Sequence, residues 1–273
     1  MARPSTGVDP TWFKSATVRG STIFVLVVGL GAMASAVANS PERDPAAIST
    51  LQSAITALGG SNALAAIQDC ILTGSILHSD GTSKDFKWTI AGSEFRQELA
   101  SANDGTNIFL SGHGSPAWVV NGSTLALNYY VARANPPRYL PAYVLFQELN
   151  NSVFTLKYIG AVQLNGRNVL QVHISDDSDA LGTLVTPQEW YFDPVSFLPL
   201  RVQFREPPNE NASNYVNAAF DMSQYVPFSG VLVPSTILYS QDNAANETIT
   251  IGTVTFNSGV SPSVFDAPQG GGQ

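Results

Sequence analysis

The sequence predicts a mainly β protein, an antiparallel sheet of about 11 strands that curls far enough to need a cover, with three helices supplying it. Three observations predict this. Beyond residue 70 apolar residues recur at every second position, as in "DFKWTI" (85–90) and "EFRQEL" (94–99). The runs are short and separated by turn signals such as Ala91-Gly92, Asn165-Gly166 and Asp193-Pro194, which makes neighbouring strands antiparallel. Helical spacing occurs only at the front of the chain and once midway. A sheet of that many strands curls or splits, and its inner face must be buried.

The first 38 residues stand apart from the fold. Arg3, Lys14 and Arg19 precede the apolar run "TIFVLVVGLGAM" (22–33), and Ala36-Val37-Ala38 fits the small-x-small pattern of a signal-peptidase site. No charge lies between Arg19 and Glu42, a stretch long enough to span a bilayer. Residues 1–38 therefore read either as a cleaved export signal or as a retained anchor, tethered through residues 20–41. Either way the rest of the chain is expected outside the cytoplasm, in the periplasm or secreted. Setting these residues aside removes Arg3, Lys14, Arg19 and Asp9 from the 13 basic and 21 acidic residues, leaving 10 against 20 and a net charge of −10. That balance excludes nucleic-acid binding and electrostatic attachment to anionic membranes, and leaves apolar ligands open. With Cys70 as its sole cysteine the fold must rest on a hydrophobic core.

The expected domain covers residues 39–268, ahead of a frayed tail at 269–273. Asp44 and Pro45 open the first helix, whose apolar face is Ile48, Leu51, Ile55 and Leu58, and Gly59-Gly60 stops it. Ser61 is expected to cap a second short helix with Leu64 and Ile67 on one face. Strands follow through "PAWVVNG" and "STLALNYY". Pro136-Pro137 then breaks the rhythm, and Tyr143, Phe146 and Leu149 space a third helix. The second half is a meander, with Leu200, Val202 and Phe204 on one face of a strand and Arg201, Gln203 and Arg205 on the other.

Reactive constellations are sparse. His78, His113 and His173 share no metal-ligand spacing, and "SGHGSPAW" brings His113 near Ser115 without the second glycine of a nucleophile elbow. Asp176, Asp177 and Asp179 in "DDSDALG" lack the pattern of a calcium loop and read as a solvated hairpin tip. Cys70 reads as a buried filler at the start of a strand. Asn121, Asn150, Asn211 and Asn246 each begin an N-x-S/T sequon. What remains is apolar surface. Phe86, Trp88, Phe95 and Trp118 in the first half, with Trp190, Phe192 and Phe204 in the second, are the large candidates for the inner face. Leu51, Ile55 and Leu58 on the first helix and Phe146 on the third are the lid candidates above them. A curled sheet encloses a cavity where such side chains do not fill it.

Three local patterns in this order resemble a family. "ALGGSNALAAIQDCILTGSI" is similar to the opening of outer-membrane lipoprotein-sorting-protein-like domains, and "EWYFDPVSFLPLRVQF" to their strand-turn-strand. The ending "GVLVPSTILYS…ITIGTVTFNSGVSPSVFDAP" resembles their terminal strand pair and closing Phe-x-x-Pro, here Phe265 to Pro268. The resemblance frames residues 45–268. It implies the fold of LolA-like and LolB-like carriers, a strongly curved antiparallel half-barrel whose concave face is lidded by helices over an apolar pocket for acyl chains. It implies no catalytic site, cofactor or metal. The expected function is thus an exported noncatalytic lipid- or lipoprotein-binding protein of the bacterial envelope, its partners acyl chains and an envelope membrane component. One rival is an envelope interaction module of the same fold with a filled cavity. The other is a hydrolase centred on His113 and Ser115.

Overall fold

A computed structural model describes residues 41–101, 105–112, 115–206 and 215–267, all within the compact unit Ala38–Gln273. The expected leader, anchor and cleavage site, His113 and Pro268 lie outside the described residues.

Helix α1 (Pro45–Leu58) begins as the sequence dictates: the Asp44 carboxylate accepts the Ala46 N–H at 2.8 Å, and Pro45 occupies the first turn. It ends at Gly59, where φ is 140° and an added Cβ would lie 2.8 Å from the Gly230 carbonyl oxygen, so both backbone and space require glycine. Helix α2 (Ser61–Ala65) follows. Ser61 is its first residue, not its cap; Gly60 holds the cap position without a side-chain bond.

The chain then builds β1 (Asp69–His78), β2 (Ser83–Ala91), β3 (Glu94–Ser101), β4 (Gly105–Gly112), β5 (Ser115–Val120) and β6 (Ser123–Ala126). Helices α3 (Tyr129–Ala134) and α4 (Pro141–Asn150) interrupt it. The second half comprises β7 (Phe154–Leu164), β8 (Arg167–Asp176), α5 (Ala180–Val185), β9 (Gln188–Phe192), β10 (Pro199–Glu206), β11 (Val216–Phe228), β12 (Val231–Gln241) and β13 (Ala244–Phe256). A 3-10 turn at Pro262–Phe265 closes the described chain. The β2–β3 turn is Gly92-Ser93, one residue beyond the expected pair.

All 13 strands form one antiparallel sheet, in the order β6-β5-β4-β3-β2-β1-β13-β12-β11-β10-β9-β8-β7. It is a strongly curved half-barrel, not a closed barrel. Two meanders meet where β1 pairs with β13, so β6 and β7, adjacent in sequence, are the opposite edges. The connection carrying α3 and α4 must therefore cross the mouth of the concavity. The interruption expected as a third helix is the crossing itself.

Helix α4 packs against α1, α2, β7 and β12, and the Tyr143 hydroxyl donates to the Gly92 carbonyl at 2.8 Å, fixing α4 to the β2–β3 turn. The Arg43 guanidinium donates to the carbonyls of Asn151, Phe154 and Leu149, satisfying acceptors at the end of α4. On the convex face Ile108, Leu110, Ala117 and Val119 form a second small core. The 3-10 turn lies against β3 and β4, with Phe265 buried and Arg96 donating to the Val264 carbonyl at 3.2 Å.

Two short helices escape the sequence reading. "STLALNYY" is not one strand: pairing stops at Ala126, and Tyr130, Val131 and Ala134 turn a helical face toward Val185 of α5. In "DDSDALG" Asp179 caps α5 by accepting the Gly182 N–H at 2.7 Å. Six residues are too few for a period of 3.6 to declare itself.

Gly74 marks the closest approach within the sheet. It lies at a register shift between β1 and β13, and a Cβ there would meet the Thr250 carbonyl oxygen at 2.0 Å and the Phe86 ring at 2.8 Å. Gly74→Ala is expected to lower stability by about 1–3 kcal/mol through overpacking, read as a lower urea midpoint at unchanged slope.

Candidate functional site

The pleat places alternate side chains of every strand on the concave face. In β2 through β6 these include one cross-strand row, Trp88, Gln97, Phe109, Trp118 and Leu125, set by direct register pairing. Opposite them are Trp190 and Val202 on β9 and β10, and Phe220 paired with Tyr239 on β11 and β12. Under α1 the space between these walls is solid core. Under α3, the segment 135–139 and one side of α4 it is not.

Two cavities flank this crossing, and Pro136 borders both. The smaller, about 440 Å³, lies between Trp88, Phe109 and Trp118 on one wall and Phe204, Phe220 and Tyr239 on the other. Val131, Arg138 and Tyr139 of the crossing complete it. The larger, about 760 Å³, is bordered by Phe95, Tyr143, Val144, Phe154, Glu148 and Gln188. Both volumes fall in the range that small-molecule sites occupy.

A buried polar chain stands between them. Arg138, 1% exposed, donates from Nε to Gln188 Oε1 at 3.1 Å and from Nη1 to the Ala134 carbonyl at 2.9 Å. Its guanidinium lies 4.2 Å from the Phe204 ring centre. Gln188 donates in turn to Glu148 Oε1 and accepts from Trp190 Nε1 at 3.1 Å. Burial pushes the Arg138 pKa down to about 10, so it stays cationic at neutral pH; the Glu148 and Glu206 charges limit the fall. Burial also pushes Glu148 up to about 7, against the pull of Arg138 and the Gln188 hydrogen bond. Arg138 Nη2 and Glu148 Oε2 have no hydrogen-bond partner among the described residues. A buried charged group with an idle hydrogen-bonding atom is an expensive arrangement to keep.

The residues expected at the site divide into three groups. Trp88, Trp118 and Phe204 border the smaller cavity, and Phe95 the larger. Leu51, Ile55 and Leu58 on α1, with Phe86, Trp190 and Phe192 on the sheet, are packed in the core and border neither. Phe146 is half-buried against that core. Sequence reasoning missed Arg138, Tyr139, Glu148 and Gln188. One signal was available: a single cation in "NPPRYLP", framed by three prolines that leave its backbone few conformations.

Other reactive groups are engaged. Arg133 of α3 pairs with Asp176 at 2.6 Å and with the still half-exposed Asp179 at 2.8 Å, so two acids of the cluster bridge the crossing to the β8 end of the sheet. Among the described residues no group of three His, Cys, Asp or Glu is arranged to hold a metal. Burial pushes the Cys70 thiol up to about 12, leaving it unreactive. On the convex face His173 lies between Glu189 (Nδ1, 2.6 Å) and Ser175 (Nε2, 3.2 Å). Ser175 is buried one residue before the end of β8, and with His173 and Glu189 it borders a third cavity of about 650 Å³. Ser115 opens β5. Among the described residues no helix is long and apolar enough to cross a membrane.

No protein-family model and no curated protein matches this sequence. Solved structures do. One, named as an outer membrane lipoprotein-sorting protein domain from Vibrio parahaemolyticus, superposes with a TM-score of 0.54 at 12% identity, over 80% of this chain and 95% of that one. A DUF1329 family protein from Desulfovibrio piger gives 0.53 at 13% identity, over 82% and 98%. A LolA superfamily protein from Nitrosomonas europaea gives 0.52 at 9%, over 81% and 97%. At these identities the likeness speaks for architecture, and the architecture is the LolA-like fold, an open curved sheet with helices in its concavity.

Proposed function

We propose that this chain is an exported, noncatalytic lipid-binding protein that holds an acyl chain in its concave cavity. The observation that carries the reading is the aromatic-walled space of about 440 Å³ left unfilled beneath the crossing segment, beside a core packed solid under α1. The fold is shared with a domain named for lipoprotein sorting, which supports the same reading. Each methylene moved from water into such a space gains about 0.8 kcal/mol, so a 16-carbon chain gains roughly 12 kcal/mol before ordering costs. In this reading residues 1–38 are the export signal or anchor, 39–268 the binding domain, and the periplasm or exterior its compartment. Release requires the crossing to move, because it spans the mouth between opposite sheet edges.

The test is native mass spectrometry of the chain from residue 39, purified gently. Bound lipid is the expected result, with displacement by a fluorescent fatty acid. Protein that is consistently empty and also fails to take up the probe sinks the reading. The solid packing beneath α1 favours a second reading, an envelope interaction module that uses its rim or the exposed β6 edge. That reading predicts the empty result.

A further inference from the structure

We infer that the smaller cavity is built for an amphiphile with one acyl chain and an oxyanion head, held by Arg138. The inference rests on the lipid-binding reading above and adds the head group to it. Unmet hydrogen bonds point to it. Two buried donors that border this cavity have no acceptor among the described residues, Arg138 Nη2 and Trp88 Nε1. The amide oxygen of Asn107 on the same wall is also unpartnered, and an amide turned about its last bond presents a donor in its place. Idle buried donors are rare in folded proteins, and two of them border this one volume, while others such as the Thr89 and Tyr130 hydroxyls lie away from it.

The charges around the cavity agree. Its two carboxylates are already committed: Glu206 accepts the Tyr239 hydroxyl at 2.5 Å, and Glu247 pairs with His78 Nδ1 at 2.9 Å. Lys84 on the same wall has no partner among the described residues. Arg138 Nη2 and the Lys84 ammonium are thus the donors here left with something to bind, with the Glu206 charge lying near Arg138. Arg138 is also held in place before any ligand arrives, by Gln188, by the Ala134 carbonyl and by the Phe204 ring. A fixed guanidinium in a poorly hydrated site makes strong charge-assisted bonds to a carboxylate or phosphate. The aromatic walls receive the chain.

The test compares three ligands with a 12-carbon chain as competitors of a fluorescent fatty acid on the folded chain from residue 39: dodecanoate, dodecyl phosphate and methyl dodecanoate. At least one anion is expected to bind tenfold or more tightly than the ester, and the better anion identifies the head group. In Arg138→Met, checked for folding by circular dichroism, the ratio should fall toward one. Equal affinity for ester and anions in the unmutated protein overturns the anchor while leaving chain binding intact, and it requires no variant. Failure of all three to bind, with no uptake of the probe, removes the lipid reading itself. An undiminished anion preference in folded Arg138→Met also overturns the assignment.

Discussion

Trp190→Ala is expected to cost about 3–5 kcal/mol of stability, the range for emptying a fully buried aromatic site. Trp190 is 0% exposed on the concave face of β9, paired across the sheet with Val172 and Val202, and stacked near Phe192 at 6.4 Å between ring centres. Neither cavity touches it, so no ligand compensates for its loss. Its Nε1 also holds Gln188 Oε1, so truncation slackens the polar chain that orients Arg138. Against a typical domain stability of about 5–15 kcal/mol, such a loss moves the urea midpoint far down. Leu125→Ala is the control: this residue is 54% exposed on the edge strand β6, and its replacement should stay within about 0.5 kcal/mol. Equal, small effects from both would mean that the concave core around Trp190 is loosely packed.

The strands were legible because this sheet separates its faces cleanly. Val202 and Phe204 turn inward between Arg201, Gln203 and Arg205, and that alternation survives in the sequence as written. The turn at Asn165-Gly166 was legible for a local reason, since both residues adopt positive φ, 50° and 78°, which Asn and Gly tolerate best. Strand order was not legible. Nothing in residues 69–78 announces that they pair with residues 244–256, and without that pairing β6 and β7 are not seen to be opposite edges. The crossing then passes for an insertion. The site suffered most. Trp190 and Trp118 look alike in sequence, yet one is sealed in the core and the other borders empty space. Arg138 sits in a proline-framed loop that suggests solvent. Its burial is decided by Gln188, 50 residues further on, and by Phe204.

Glu148→Gln should change how stability depends on pH, in a direction opposite to ordinary acid denaturation. Burial raises the folded-state pKa of Glu148 from the usual 4.5 to about 7, so the folded protein holds this proton more tightly than the unfolded chain does. The stabilisation from that proton is complete below about pH 4.5 and is lost as pH rises to about 7, beyond which the contribution is flat. At about 1.4 kcal/mol per pH unit the loss is roughly 3–4 kcal/mol, and Glu148 is too deeply buried for solvent to screen much of it. Glutamine keeps an oxygen for the Gln188 amide and removes the ionisation. Removing the carboxylate near Arg138 adds an offset, but a constant one, because Arg138 stays charged throughout this window. Asp176 and Asp179, held below the usual carboxylate range by hydrogen bonds at the start of α5 and by Arg133, shape the more acidic limb in both proteins and cancel in the difference. Urea midpoints measured from pH 4.5 to 8 should therefore diverge in favour of the variant up to about pH 7 and run parallel above it. Parallel profiles would remove Glu148 from the buried chain, and with it the partition between the two cavities.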